Sequence, residues 1–181
     1  MNATTYTAMW VEANMRMADA YLLWPEARNV QTARKHAKAV IDHFGALPED
    51  HGQVPTRMGD VHWRQLARLR AAQSYIWEIK ESWKDPERSA NLTAAFDLLD
   101  DIKPSQFWEH THRAEWYEQY GDCRAMIARM EFDVTKRLAL YDRARSDYIK
   151  ARDLAEGYPK GTYDRDVRPA SITDKLATLH E

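Results

Sequence analysis

Residues 133–159 read DVTKRLALYDRARSDYIKARDLAEGYP. Leu138, Tyr141, Ala144, Tyr148, Ala151, Leu154 and Ala155 recur at three- and four-residue steps, the period of one helix face. This helix opens near Asp133, and Gly157 and Pro159 end it. The fold class follows as all-α, because the same period fills the rest of the chain. Upstream, Trp10, Ala13, Met17, Ala20, Tyr21 and Trp24 predict a first helix, with Pro25 as the first residue of the second. That second helix carries Val30, Ala33, Ala37, Val40, Ile41 and Phe44, with Gly45 as its C-cap. After a loop over 45–59, Asp60 is placed to cap a third helix. Trp63, Leu66, Ala67, Arg70, Ala71, Ser74 and Trp77 share its face, and it ends near Trp83. Asp85 and Pro86 open a fourth helix along Leu92, Ala95, Phe96, Leu99 and Ile102, which Pro104 stops. A fifth runs from about 105–109 to Met130. Beyond 158 the chain reads as irregular until Ser171 and Asp174, a capping-box pattern, start a short last helix through Leu179.

The composition narrows the class of function. The chain has 181 residues, of which 44% are hydrophobic and 30% charged, so it fits one globular domain with a real core. The net charge of −2 lacks the basic footprint of a nucleic-acid binder. Arg64, Arg68 and Arg70 form only a local basic stretch, and nucleic acid is disfavoured as a partner. Cys123 is the single cysteine, so no disulfide forms within the chain, which suits a reducing compartment. Residues 1–9 lack a basic segment followed by an apolar run, and no secretory leader is expected. The longest apolar stretch, Tyr21 to Trp24, is far short of a membrane span. The expectation is a cytoplasmic protein that does not engage a membrane.

A longer period underlies the helices. Trp10, Trp63 and Trp116 stand 53 residues apart, and at the same spacing Trp24 aligns with Trp77 and Met130. In the second helices Ala37, Ile41 and Phe44 correspond to Leu92, Phe96 and Leu99, and then to Ala144, Tyr148 and Ala151. Each unit closes near a proline: Pro48, Pro104 and Pro159. The expected arrangement is one helical-repeat domain over 1–181, with antiparallel hairpins over about 7–44, 60–103 and 105–157 and a tail over 158–181.

The trio Ala144, Tyr148 and Ala151 resembles the second helix of tetratricopeptide-type repeats. Leu92, Phe96, Leu99 and Pro104 follow it more loosely, and Tyr117, Tyr120 and Gly121 resemble part of the first-helix pattern. The units here are longer than the family's roughly 34 residues, and the glycine stands in one unit only. The resemblance implies three stacked hairpins with a concave face that binds a peptide or protein.

Chemistry-bearing constellations are sparse. Glu109, His112 and Glu115 could share one helix face as metal ligands. A di-iron bundle needs two Glu-x-x-His helices and two further carboxylates, and this chain supplies one. His36 and His43 are two turns apart, about 10 Å along the axis, too far to hold one metal. Cys123 lies among Ala125, Met126 and Ile127, as a buried inert cysteine would. No nucleophile elbow and no glycine-rich nucleotide loop occurs. Asp100-Asp101 and Glu49-Asp50 sit at helix ends or in loops, as capping or solubilising groups. Aromatic side chains crowd two helices, at Phe107, Trp108, Trp116, Tyr117 and Tyr120 and at Trp77 and Trp83.

The expected function is therefore a tryptophan-rich protein–protein interaction or assembly module without catalytic activity or cofactor. Trp63, Arg70, Trp77, Tyr117 and Arg124 are its expected anchors, since Trp, Tyr and Arg dominate interface energetics. Its partner would be another protein, a peptide or a second copy. The alternative is a metal-binding helical-bundle enzyme using Glu109, His112 and Glu115.

Overall fold

The structure is a computed structural model that describes residues 3–45, 58–82, 86–107 and 110–179. The chain is all-α: every regular element among these residues is helical. Two compact units divide it, residues 1–106 and 107–181.

The first unit holds α1 (Ala3–Leu23), α2 (Val30–Gly45), α3 (Met58–Glu81) and α4 (Arg88–Asp100). Its α3 packs against the other three, and α1 also packs on α2. Leu66, Ala67 and the whole run from Leu69 to Ile76 are buried, so the middle of α3 is enclosed on all sides rather than along one stripe, while Trp63, Arg64, Arg68 and Trp77 toward its ends are half-buried. Ala18, Ala37 and Ala71 meet where α1, α2 and α3 converge, with Ile41 and Leu98 around them. Side chains this small let three helix backbones approach closely. A second cluster gathers Leu22, Val30 and Ala33 beneath Tyr21 and Trp77.

The buried stripe of α1 is Val11, Met15, Ala18 and Leu22. This differs from the expected Trp10–Ala13–Met17 register, and Met17 and Trp24 are exposed. The helix carries apolar residues around most of its circumference, so more than one face satisfies the same period. On α2 and α4 the expected stripes are the buried ones, with Ile41 and Phe96 half-buried. Several boundaries differ from expectation. Pro25 opens a 3-10 turn, Pro25–Ala27, and α2 is capped instead by Asn29, whose side chain accepts from the Thr32 amide at 3.0 Å. The third helix already runs at Met58, which places Asp60 inside it. Pro104 likewise begins a 3-10 turn after α4 has ended. Trp83, Asp85 and most of the 45–59 loop lie outside the described residues.

The second unit holds α5 (His110–Met130), α6 (Val134–Glu156), the short α7 (Tyr163–Asp166) and α8 (Arg168–Ala177). Asp133 caps α6 by accepting from the Lys136 amide. Thr162 caps α7 in the same way, and the last helix begins at Arg168, so Ser171 falls inside it. Packing of α5 on α6 forms the body of this unit, and α8 lies against α6. Ala125, Ala128, Tyr141, Ala144, Tyr148 and Ala151 share one core with Ile172 and Leu179, so apolar side chains of the tail complete it.

Gly121 sets how closely α5 and α6 approach. A Cβ there would stand 2.7 Å from the Tyr148 ring. That ring is held in place by its hydroxyl, which donates to Asp122 at 2.7 Å. Gly121→Ala is therefore expected to lose about 1–3 kcal/mol of stability by overpacking, and Ala71→Leu a similar amount. Urea denaturation checks both, with exposed Ala139→Leu as a control whose midpoint stays near that of the parent.

Candidate functional site

The second unit carries most of its buried charge in one network. Glu115, Glu118 and Asp122 follow an i, i+3, i+7 spacing on α5, and all three are buried. Arg168 and Lys175, two turns apart on α8, face them. Lys175 Nζ donates to Glu118 at 2.7 Å and to Asp122 at 2.9 Å. Arg168 pairs with Glu118, and its Nε donates to Asp164 of α7 at 2.7 Å. A separate ion pair joins Arg124 of α5 to Asp147 of α6.

The surroundings tune these groups. Burial works against the charged forms of Arg168 and Lys175. The facing carboxylates outweigh it, Glu115, Glu118 and Asp164 for Arg168 and Asp122 and Glu118 for Lys175, and both cations hold their protons more tightly than usual. Burial pushes the Asp147 carboxyl up, and Arg124 opposes this only in part. The Tyr148 hydroxyl is pushed well above its ordinary range by burial and then by Asp122. Tyr158 is pushed up to about 12 by burial and by Asp164.

In the first unit polar ties run from α3 to its neighbours. Arg34 of α2 donates to Ser74 at 3.0 Å and to Glu78 at 2.5 Å, and Asn91 of α4 donates to the same Glu78 at 3.3 Å. His36 and Asn14 hydrogen-bond at 2.9 Å between α2 and α1.

The five expected anchors fall in two groups. Trp63, Arg70 and Trp77 lie two turns apart along α3; Tyr117 and Arg124 lie two turns apart along α5. Arg70 is buried, pairs with Asp19 of α1 and donates to Gln73 at 2.9 Å. Trp63 is half-buried with its edge to His62. Trp77 is half-buried over the Leu22 cluster, and the Arg28 guanidinium sits 4.0 Å from its ring centre. Tyr117 packs on the core of the second unit. Arg124 stacks over Tyr120 at 4.1 Å. Arg64 and Arg68 are half-buried beside the buried Arg70, and Arg68 reaches the Asp101 carbonyl at 3.5 Å.

Of the metal candidates, Glu109 lies outside the described residues, His112 packs beside the Phe107 ring, and Glu115 stands in the field of Arg168. Among the described residues no group of three or more His, Cys, Asp or Glu side chains is arranged to hold a metal ion. No described helix is long and apolar enough to cross a membrane.

Large apolar side chains stand in water at two helix corners. Leu23 and Trp24 do so where α1 ends, and Trp24 is 66% exposed. Phe132, 97% exposed, Val134 and Leu138 do so where α5 turns into α6. Sequence reading missed the partners Asp19, Glu118, Asp122, Asp147, Arg168 and Lys175. One signal was available for the largest network: acidic residues at helical spacing on α5 and two basic residues a heptad apart near the C-terminus.

Lys175→Met strands buried carboxylates and is expected to lose about 3 kcal/mol, whereas adding Asp122→Asn recovers part of that loss. Denaturation midpoints and amide exchange along α8 read both effects; equal stability of all three proteins would refute this account of the network. Unfolded tyrosine loses its proton near pH 10, while Tyr158 keeps it to about 12. The unfolded state therefore binds fewer protons in that window, and stability is expected to fall as pH rises through it. Tyr158→Phe should flatten the decline measured from pH 10 to 12. No protein-family model, curated protein or solved structure matches this chain, so its functional reading rests on these residues alone.

Proposed function

We propose that this chain is a protein-interaction or assembly module that does no catalysis. The observation that carries the reading is the contrast between its charges and its apolar side chains. Arg70, Arg124, Arg168 and Lys175, with Asp19, Glu118, Asp122 and Asp147, are spent on ties within the chain. Meanwhile Trp24, Phe132, Val134 and Leu138 remain in contact with water. Exposed apolar clusters on a well-tied helical scaffold are the usual mark of a protein contact. Trp63, Trp77 and Tyr117 are half-buried and belong to the proposed contact residues; Arg70 would act by fixing α3 to α1, and Arg124 by fixing α5 to α6.

Packing of α1 on α2, of α3 on α4 and of α5 on α6 supports reading each consecutive pair as one helical hairpin of tetratricopeptide-like type. A cytoplasmic location goes with it, supported by the single, buried Cys123. The metal-enzyme alternative gains no support, because Glu115 already faces the chain's own cation Arg168.

Quantitative capture on the tagged chain tests the module. A partner protein is expected in the capture, and its yield is expected to fall at least tenfold with Trp24→Ser or Phe132→Ser. Yields that neither variant changes would show that these corners are not the contacts, and a chain that captures nothing and stays monomeric would end the reading.

A further inference from the structure

Outside its buried face, α6 carries a second ordered stripe. Leu138, Asp142, Arg145 and Ile149 are all exposed, Leu138 by 52% and Ile149 by 36%. Their steps of four, three and four are those of a helix-pairing seam, so the four side chains lie along one line of the helix. The line is separate from Tyr141, Ala144, Tyr148, Ala151 and Ala155, which face the core. From Leu138 to Ile149 it runs about 16 Å.

The order along this line is apolar, acidic, basic, apolar. The midpoint between Leu138 and Ile149 is also the midpoint between Asp142 and Arg145, between Arg143 and Ala144. A copy of α6 turned end for end about that point matches the original at these four positions. Leu138 meets Ile149, Asp142 meets Arg145, and the symmetry repeats both contacts. Such self-complementarity is what a two-fold interface requires. A different partner would need neither the shared midpoint nor opposite charges at equal distances from it.

We infer that this face of α6 pairs antiparallel with the same face of a second copy, making the chain a two-fold homodimer. The inference rests on the module reading and specifies one partner for it. Two helices touching over this length bury less than the roughly 1,600 Å² of a standard interface. The dimer is therefore weak and depends on concentration, and its charged pairs set register and orientation more than affinity.

Charge exchange tests it on the purified full chain by sedimentation equilibrium over a wide concentration range. Asp142→Arg places four arginines across the axis, and Arg145→Asp places four aspartates. Each variant alone is expected to weaken dimerisation at least tenfold. The Asp142→Arg, Arg145→Asp double variant is expected to restore it, as is an equimolar mixture of the two single variants. Asp142 and Arg145 both point to solvent, and circular dichroism should show unchanged helix content. A parent protein that is monomeric throughout, or a dimer that neither single variant weakens, overturns the pairing. If such a monomer still captures a different protein, only the pairing falls; if it captures nothing, the module reading falls with it.

Discussion

The Asp122 carboxylate is where the second unit is tied together. It accepts from the Tyr148 hydroxyl of α6 at 2.7 Å and from Lys175 Nζ of α8 at 2.9 Å, so one side chain of α5 reaches both neighbouring layers. Charge-assisted hydrogen bonds in a buried setting have strict geometry, and that geometry fixes the rest. The Tyr148 ring, once placed, leaves no room for a Cβ at residue 121, which makes glycine there a requirement of helix approach rather than of backbone conformation. Lys175, once placed, brings Ile172 and Leu179 onto the core. The network adds specificity more than raw stability, because two desolvated charges recover little beyond the cost of burying them.

The first unit solves the same problem with less charge. Three alanines let α1, α2 and α3 converge, and Glu78 collects Arg34 from one side and Asn91 from the other. Close packing then positions α3, whose middle turns from Leu69 to Ile76 are enclosed all round. Both units thus use small residues where helices cross and one carboxylate where three helices must be aligned.

The all-α class was legible because the helical period is strong in almost every segment, and the buried faces of α2, α4 and α6 follow from it, except that Leu138, expected on the α6 stripe, stands exposed about a third of a turn away from it. The face of α1 was not, since Val11, Met15, Ala18 and Leu22 compete with Trp10, Met17 and Tyr21 for the same period. The start of α2 differs from expectation because Asn29, immediately before the first stripe residue Val30, caps the helix in place of the more conspicuous Pro25. Residue type alone marks Trp, Tyr and Arg as anchors. It does not show that Arg70 is taken up within the chain, because its partner Asp19 is 51 residues away in sequence and nothing local announces the pair. A last helix is legible from Ser171 onward, but residues 158–170 read as irregular, because Arg168 acquires meaning only beside Glu115 and Glu118 on another helix.

Charge has two uses in α6 and its neighbour. Inside, Asp147 answers Arg124 across a buried contact, where a single missing partner is costly. Outside, Asp142 and Arg145 remain in water, where an ion pair contributes little to the monomer's stability. A surface pair of that kind is under weak constraint from folding. Its placement at equal distances from a shared midpoint, with Leu138 and Ile149 beyond it, is a pattern that the monomer's own packing does not require. A second copy of the same helix supplies the missing reason: in that setting each exposed apolar side chain gains a neighbour, and each charge gains an opposite one without leaving the solvent entirely.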